Sequence, residues 1–183
     1  MKILNGLLFN IIFSLLLSIK KSLAKEFNIK YNDDTFKNLK TLLNQNQNDD
    51  ELILRFVDKY YIISYENLNV AIGIEVSQNI TFIGENKETI FDFNNRRTGY
   101  NFSFKDNNKG YSVKFENIIF KNYFDNSVGL FRISSFSNNF LFLVENCTFQ
   151  NNKFKIFDIS IYKSKIIKEE ELFIINNCNV VYV

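Results

Sequence analysis

The pattern of apolar and polar positions divides the chain into a helical stretch and a longer region of strands. Between residues 32 and 47 the apolar side chains recur at helical spacing and fall on one stripe: Phe36, Leu39, Leu42 and Leu43. Asp33 or Asp34 is placed to cap the first turn of this helix. From Glu51 onward, short runs alternate between apolar and polar residues, as in strands that bury one face. The pattern therefore predicts a short one-sided helix followed by an all-β region.

The strand region contains a repeated unit built around an asparagine. Residues 113–122, VKFENIIFKN, return at residues 142–151 as FLVENCTFQN. In both copies one alternating strand precedes the asparagine and a second follows it. Four asparagines hold this position at intervals of roughly 30–40 residues: Asn79, Asn117, Asn146 and Asn177. A period of this size predicts a solenoid in which each repeat forms one coil and buries its apolar side against its neighbours.

A third strand is predicted once per repeat. Its motif, an apolar residue, Phe, a charged residue and another apolar residue, occurs at residues 90–93, 130–133 and 156–159. Alternation turns the Phe inward and the charged residue outward, which places Asp92, Arg132 and Asp158 on the outside of one sheet. Three strands per repeat predict a three-sided coil whose strands pair in parallel with those of the next coil. Residues 94–110 are interpreted as the longest external loop, with Phe102 and Phe104 forming a small extra strand.

Residues 51–183 resemble the right-handed, single-stranded parallel β-helix proteins of the pectin-lyase-like superfamily, of the secreted or surface-displayed kind with degenerate repeats. The segments VENCTFQNN, at residues 144–152, and SVGLFRI, at residues 127–133, carry the resemblance. It implies an all-β solenoid of about four coils with an N-terminal capping α-helix. Enzymes of this superfamily place Asp and Arg outward on one sheet, which makes Asp92, Arg132 and Asp158 the candidate catalytic residues. We nevertheless expect these three residues to form a surface charge ladder, and the catalytic role is the alternative.

Composition narrows the range of functions. The 183 residues include no His, so the chain has no Ser-His or Cys-His catalytic pair and no imidazole metal ligand. The formal net charge of +2 gives no electrostatic argument for nucleic-acid binding. A hydrophobic content of 46% suffices for one domain with a continuous core. We expect no cofactor.

Residues 1–24 have the features of a signal peptide. Lys2 precedes an apolar run, and Ser22 and Ala24 are small residues at the positions that a signal peptidase reads. An uncleaved membrane anchor is the alternative, because the apolar run approaches spanning length. The predicted organisation is therefore a signal peptide at 1–24, a segment with the capping helix at 25–50 and the β-helix at 51–183. The sequence stops within a strand, so we expect either a fragment of a longer β-helix or a chain that associates through its C-terminal edge.

The repeat also places asparagines and cysteines in columns. The four repeat asparagines are expected to stack as a ladder at one corner, because Asn tolerates left-handed backbone angles. Asn79 and Asn146 also head glycosylation sequons, but Asn101, on the predicted loop, is the better candidate for glycosylation. Cys147 and Cys178 hold the same position in consecutive coils and are expected to stack facing inward, either as free thiols or as a disulfide. Their spacing carries no metal signature.

The expected function is that of a secreted or cell-surface, non-enzymatic β-helix module with a structural, adhesive or carbohydrate-contacting role. The alternative is a small polysaccharide-active enzyme, of the lyase or esterase type, that uses the outward Asp and Arg residues. The expected partners are an extracellular polysaccharide or another β-helix chain. Neither nucleic acid nor, after signal cleavage, a membrane is expected as a partner.

Overall fold

A computed structural model describes residues 24–63, 72–85, 88–105, 109–137, 139–162 and 172–182. The predicted signal peptide, apart from Ala24, lies outside these residues. The described elements in chain order are β1 (Ala24–Ile29), α1 (Asp34–Lys37), α2 (Leu39–Gln45), β2 (Glu51–Phe56), β3 (Tyr60–Ile62), β4 (Ile72–Glu75), β5 (Asn79–Gly84), β6 (Thr89–Asp92), β7 (Tyr100–Phe104), β8 (Ser112–Glu116), β9 (Ile118–Lys121), β10 (Phe124–Asp125), β11 (Phe131–Ser135), β12 (Leu141–Glu145), β13 (Thr148–Gln150), β14 (Lys153–Phe154), β15 (Phe157–Ile161), β16 (Phe173–Asn176) and β17 (Asn179–Val181). Among the residues described, no helix is long and apolar enough to cross a membrane.

The strands form three main sheets in which every pairing is parallel. The first sheet has the order β1-β2-β5-β8-β12-β16, the second β3-β6-β9-β13-β17 and the third β4-β7-β11-β15. A small pair, β10 and β14, lies at the corner between the second and third sheets. Each coil adds one strand to each main sheet, so the chain is a parallel β-solenoid of about 5 turns. This architecture confirms the predicted solenoid, with one turn more than expected.

Columns of inward side chains fill the interior from coil to coil. In the first sheet the column runs through Leu54, Phe82, Phe115, Val144 and Ile175. In the second sheet it runs through Tyr61, Phe91, Phe120, Phe149 and Val180. These side chains are buried until the last described coil, where Ile175 is 47% exposed and Val180 is 62% exposed. The core is thus a stack of apolar layers, each of which is covered by the next coil.

The predicted capping helix is confirmed, in two pieces. Helices α1 and α2 are separated at Asn38, and the side chain of Asp33 caps α1 by accepting a hydrogen bond from the Thr35 backbone N–H at 2.5 Å. Phe36 is buried, with its ring centroid 5.2 Å from that of Tyr61, and Leu39 and Leu43 are buried as well. The apolar stripe therefore covers the first coil, because a helix this short is stabilised only by packing.

Strand β1 lies in the segment for which only a helix was predicted. It pairs along its whole length with β2, and Phe27 is opposite Leu54. Within β1 only Phe27 and Ile29 are large apolar residues, and only Ile29 is fully buried. Two alternating apolar positions are too few to identify a strand from sequence. Because β1 pairs with β2, the solenoid includes residues 24–29 in addition to the predicted region from Glu51.

The assignment of Asn79 to the repeat position of Asn117 was wrong. Asn79 begins β5 of the first sheet, and Ile83 near the end of that strand is opposite Glu116, which puts Gly84 level with Asn117. A Cβ atom on Gly84 would lie 2.2 Å from the Asn117 carbonyl oxygen, so only glycine fits where these coils meet. Additional residues after Gly84 shift the repeat by part of a coil. The sequence around Asn79 nevertheless resembles that around Asn117, and this similarity concealed the shift.

The third strand of the same coil was also misplaced. Residues 90–93 belong to the second sheet, where Phe91 is opposite Phe120 and Asp92 is opposite Lys121. The third-sheet strand is β7, which lies between β4 and β11 and was predicted to be part of a loop. Glycines at 99 and 110 suggested turns, but the alternation of buried and half-buried residues along β7 is that of a full strand.

Candidate functional site

The outer side of the third sheet carries two rows of polar side chains. Strands β7, β11 and β15 are in register, so the outward residues Asn101, Arg132 and Asp158 are direct neighbours. A second row, two residues farther along each strand, consists of Ser103, Ser134 and Ser160. We call these six residues the third-sheet face. Neighbouring strands are spaced by roughly 4.8 Å, so an amide, a guanidinium and a carboxylate stand in line beside a line of hydroxyls.

Two of the three predicted catalytic residues lie together on this face. The Arg132 Nε atom is 3.8 Å from the Asp158 Oδ2 atom, at the long end of an ion pair. Asp92 is in the second sheet, so it does not join them. Its place beside Arg132 is taken by Asn101, an amide that carries no charge. The predicted group of two carboxylates around an arginine is therefore not formed.

Asp92 instead holds three coils together from a buried position. Its carboxylate accepts hydrogen bonds from the Tyr60 hydroxyl, the Asn94 backbone N–H at 2.8 Å and the Asn122 amide nitrogen at 2.9 Å. Burial acts to raise the pKa of Asp92, but these three hydrogen bonds and the charge of Lys121 outweigh it and lower the pKa. The hydrogen bond to Asp92 also raises the pKa of Tyr60 to about 12. This carboxylate is structural, because its oxygens accept hydrogen bonds from its own coil and from the coils on both sides.

A cleft opens beside the third-sheet face, at the corner between the second and third sheets. Its cavity volume is about 90 Å³. We call it the corner cleft; it is lined by Arg97, Gly99, Tyr100, Asn101, Tyr123, Asp125, Val128, Gly129 and Arg132. Two of these residues, Asn101 and Arg132, also belong to the third-sheet face. The cleft and the face thus form one continuous polar surface.

The walls of the corner cleft are held by hydrogen bonds within the loop that precedes β11. Asp125 accepts from the backbone N–H of Ser127 at 2.8 Å and from its hydroxyl at 2.7 Å. Burial acts to raise the pKa of Asp125, but these hydrogen bonds prevail and lower it. The Tyr123 hydroxyl donates to the Val128 carbonyl at 2.8 Å. A Cβ atom on Gly99 would lie only 2.7 Å from the Leu130 carbonyl oxygen, so the two coils meet backbone to backbone beneath the cleft.

The groups that a ligand in the cleft can reach include the guanidiniums of Arg97 and Arg132. Arg97 and Arg132 are exposed, whereas the side-chain oxygen of Asn101 is buried and accepts no hydrogen bond from any part of the chain that is described. Asp125 is already engaged by Ser127 and is poorly placed to act as a proton donor. The arrangement can therefore orient a small polar ligand. It offers no pair of free carboxylates for acid–base chemistry.

Sequence reasoning missed Arg97, which lies between strands, and Asp125, which ends the two-residue strand β10 and has no alternating pattern around it. A local signal exists for Asp125, since Asp-Asn-Ser is a sequence that forms an Asx turn. A second signal is the glycine that precedes β7 by one residue and β11 by two, at 99 and 129. Neither signal reveals that Arg97 and Arg132 share a cleft, because they belong to different coils.

Asn101 does not lie on an exposed loop. It is the second residue of β7, is paired with Gly73 on one side and Arg132 on the other, and has a buried side-chain oxygen. Glycosylation sites are typically on accessible surface loops. The reason given for choosing Asn101 as the glycosylation candidate was therefore wrong.

Three of the four repeat asparagines share one corner of the solenoid. Asn117, Asn146 and Asn177 have φ angles of 59°, 51° and 50°, in the left-handed region that Asn tolerates. The Asn117 backbone N–H donates to the Glu145 carbonyl at 3.2 Å, which ties this corner to the next coil. A second column at the next corner, Asn122 and Asn151, has φ angles of 59° and 52°. The asparagines therefore act through the backbone, as the residues that turn the chain between sheets.

Cys147 and Cys178 lie one above the other, and both are free thiols. The Cys147 sulfur is 3.2 Å from the Glu145 carbonyl oxygen, and the Cys178 sulfur is 3.3 Å from the Asn176 carbonyl oxygen. Burial raises the pKa of the Cys147 thiol to about 12 and also raises that of Cys178. Buried thiols with raised pKa values are poor nucleophiles and poor metal ligands.

No group of three or more Asp, Glu, Cys or His side chains that could hold a metal ion occurs in the described part of the chain. Comparisons with protein-family models, with curated protein sequences and with solved structures find no match to this chain.

Proposed function

We propose that the protein is a secreted or cell-surface, non-enzymatic β-solenoid module that contacts carbohydrate through the third-sheet face. The observation that carries the proposal is the row of Asn101, Arg132 and Asp158 beside the row of three serines. Sugars present closely spaced hydroxyls, each of which can donate and accept a hydrogen bond. Planar amide, guanidinium and carboxylate groups can each bond two such hydroxyls at once.

Rigidity of the sheet supports binding of an extended ligand. The strands of the third sheet are paired in parallel on both sides except at the edges, and their inward residues pack into the aromatic core. Outward side chains are therefore held at fixed spacing before a ligand arrives. Preorganisation of this kind lowers the entropy lost on binding, so weak individual contacts can add up along a chain of sugar units.

The separation of the acidic residues favours binding over catalysis. An enzyme of the alternative type would need Asp92 beside Arg132, but Asp92 is committed to three hydrogen bonds in another sheet. Asp158 remains as the one carboxylate in the same row as Arg132. A lone carboxylate near an arginine is a common surface pair and is not by itself a hydrolytic or lyase site.

We also propose that the chain belongs to the pectin-lyase-like superfamily and that it is exported from the cell. Assignment to the pectin-lyase-like superfamily is supported by the three-sheet coil and by asparagines at the corner between the first and second sheets. Export is supported by the sequence of residues 1–24, in which an apolar run ends in Ser22-Leu23-Ala24. Mass spectrometry of the secreted protein tests export directly. A mature chain that begins at Lys25 is expected, and an intact Met1 in a membrane fraction would contradict it.

A polysaccharide-retention experiment tests the proposed contact. The purified wild-type protein and the variants Arg132→Ala and Arg55→Ala are each run through gels that contain one of a panel of insoluble and soluble polysaccharides. Arg55 is the matched control, because it is an outward arginine on the first sheet that pairs with Glu26 at 2.8 Å. Retention by at least one polysaccharide, weakened in Arg132→Ala but not in Arg55→Ala, is the expected result. Absence of retention, or equal weakening in both variants, would overturn the proposal, and release of shortened saccharides would favour the enzyme.

A further inference from the structure

Two exposed aromatic side chains continue the third-sheet face. Beyond its row of serines, alternation along the strands gives a third outward position, which is Lys105 after β7, Phe136 after β11 and Tyr162 after β15. The Tyr162 backbone N–H donates to the Ser135 carbonyl at 2.8 Å, so the parallel pairing of β11 and β15 extends to this position. The polar face therefore continues into an aromatic surface.

Phe136 and Tyr162 form a stacked pair, which we call the aromatic platform. Their ring centroids are 4.8 Å apart and their planes differ by 18°, so each ring covers one face of the other. Phe136 is still 50% exposed and Tyr162 is 62% exposed, which leaves the other face of Tyr162 open. Exposed apolar side chains scattered singly are ordinary, whereas adjacent ones rimmed by polar residues mark binding surfaces.

The charges around the aromatic platform are matched. The Lys105 Nζ atom is 2.5 Å from the Glu75 Oε1 atom on the neighbouring strand β4, and the Arg132 Nε atom is 3.8 Å from the Asp158 Oδ2 atom. These two pairs account for every charged side chain in the three outward rows of the described third sheet. An acidic polysaccharide gains no net attraction from such a surface, so a neutral ligand is favoured.

A neutral sugar ring fits an aromatic surface when one face of the sugar carries only C–H groups. In β-linked units of glucose or N-acetylglucosamine every substituent is equatorial, so both faces of the ring carry only axial C–H bonds. These C–H groups pack on an aromatic face through dispersion and through attraction to the negative charge of the π-system. The axial oxygen of an α-linkage interrupts that apolar face. Hydroxyls at the rim of the same ring remain free to contact the serine row, which lies about 7 Å away along the strand.

We infer that the aromatic platform stacks on a pyranose ring of a neutral polysaccharide built from β-linked glucose or N-acetylglucosamine, and that Ser134 and Ser160 contact its hydroxyls. This inference rests on the proposed function and names the class of polysaccharide that the third-sheet face binds. Phe136 and Tyr162 come from consecutive coils, so the platform exists only in the folded solenoid. Phe136 also holds Tyr162 in place before the ligand arrives, which lowers the entropy lost on binding.

Titration of the purified protein with soluble oligosaccharides, followed by the NMR shifts of backbone amides, tests the inference. The probes are cellohexaose, N-acetylchitohexaose, maltohexaose and hexagalacturonic acid. Cellohexaose and maltohexaose both consist of 1,4-linked glucose and differ only in the configuration of the linkage. At least one of the two β-linked probes is expected to bind roughly fivefold or more tightly than maltohexaose and hexagalacturonic acid, because the β-linked probes alone combine an uninterrupted C–H face with neutral charge. Comparison of the two β-linked probes identifies the sugar unit that is preferred.

Four variants make the test specific. Phe136→Ala and Tyr162→Ala are each expected to weaken binding of the preferred probe by roughly three- to tenfold, whereas Tyr162→Phe keeps the ring and should change binding less than about twofold. Phe154→Ala is the matched control, because Phe154 is 56% exposed and its ring centroid is 5.3 Å from that of Phe124, yet it lies in β14 at the corner of the solenoid. It should leave binding unchanged. Circular dichroism of all four should match that of the wild type, which separates loss of binding from loss of fold.

Several outcomes would overturn the inference. They are binding of maltohexaose or hexagalacturonic acid as tight as that of the better β-linked probe; equal binding by the wild type, Phe136→Ala and Tyr162→Ala; equal weakening in Phe154→Ala; and absence of any shift with either β-linked probe. If polysaccharide retention depends on Arg132 but not on Tyr162, the inference fails and the proposed function stands. If a β-linked probe binds through Tyr162 but Arg132→Ala retains polysaccharide like the wild type, the inference stands and the proposed contact along the row of Arg132 fails.

Discussion

Replacement of Phe120 by Ala is the most direct test of the layered core. Phe120 is fully buried in β9 and stands in the second-sheet column between Phe91 and Phe149. Its ring centroid is 5.8 Å from that of Phe91, 5.4 Å from that of Phe149 and 5.1 Å from that of Phe131. The side chain thus joins the coil before it to the coil after it, and its removal weakens two interfaces at once.

The expected loss of stability is large. Transfer of a buried Phe side chain out of water contributes about 1.5–3 kcal/mol, and the cavity left by truncation adds to this loss. We therefore expect Phe120→Ala to lower the free energy of unfolding by about 3–5 kcal/mol. Phe136 supplies a matched control, because it is 50% exposed and stacks on Tyr162 at 4.8 Å. Phe136→Ala should cost only about 0.5–1.5 kcal/mol, the contribution of one aromatic pair.

Equilibrium unfolding in urea, followed by far-UV circular dichroism, measures both variants against the wild type. A conservative variant, Phe120→Leu, should lose less than about 1.5 kcal/mol because it refills most of the space. A second transition in Phe120→Ala would show that the coils on the two sides unfold separately. If Phe120→Ala instead unfolds at the same urea concentration as Phe136→Ala, the inward column described for the second sheet does not exist in solution.

Four further predictions concern other parts of the solenoid. Asp92→Asn should lower stability at neutral pH by about 1–3 kcal/mol, because a charged acceptor of three hydrogen bonds is lost. The lowered pKa of Asp92 means that its contribution is present above the unfolded pKa of about 3.9 and disappears as pH falls through the folded value, so acid unfolding of the variant should be less steep than that of the wild type. A thiol reagent at pH 8 should modify Cys178 before Cys147, which is fully buried; equal rates, or no free thiol, would contradict this order. Asn117→Ala should cost about 1–2 kcal/mol in urea unfolding because its φ is 59°, whereas Asn117→Gly should be nearly neutral; equal loss in both would rule out strain as the cause. A polypeptide of residues 25–183 should associate at high concentration through Val180, which is 62% exposed, and Val180→Lys should reduce the light scattered without loss of circular dichroism; identical scattering from both would place the contact elsewhere.

Local patterns in the sequence were sufficient to identify the architecture. Alternation along β8, β9, β12 and β13 predicted which side chains face inward, and the buried positions of these strands agree with it. The turn residues Asn117 and Asn146 were recognisable because a left-handed backbone favours few residue types. The capping helix was recognisable from its stripe and its Asp cap. All of these features depend on residues close together in the chain.

The third-sheet face was only partly predictable. Arg132 and Asp158 were placed together correctly, because β11 and β15 belong to consecutive coils with the same motif. Asp92 carried that motif too, yet it pairs with Lys121 in another sheet, and Asn101 takes its place. The same short sequence can serve either sheet, since both need alternating inward residues.

Tertiary structure alone decided the register between coils and, with it, the corner cleft. Coils of a solenoid are aligned by backbone hydrogen bonds and core packing, whereas the loops between strands vary in length at little cost. Repeat spacing in the sequence therefore fails to predict which residues of neighbouring coils are paired wherever a loop is longer, as it is after Gly84. Arg97 and Arg132 become neighbours only when β7 pairs with β11 and Gly99 allows the two backbones to approach. The sequence by itself determined what kind of coil forms; the pairing of one coil with the next determined which side chains share a site.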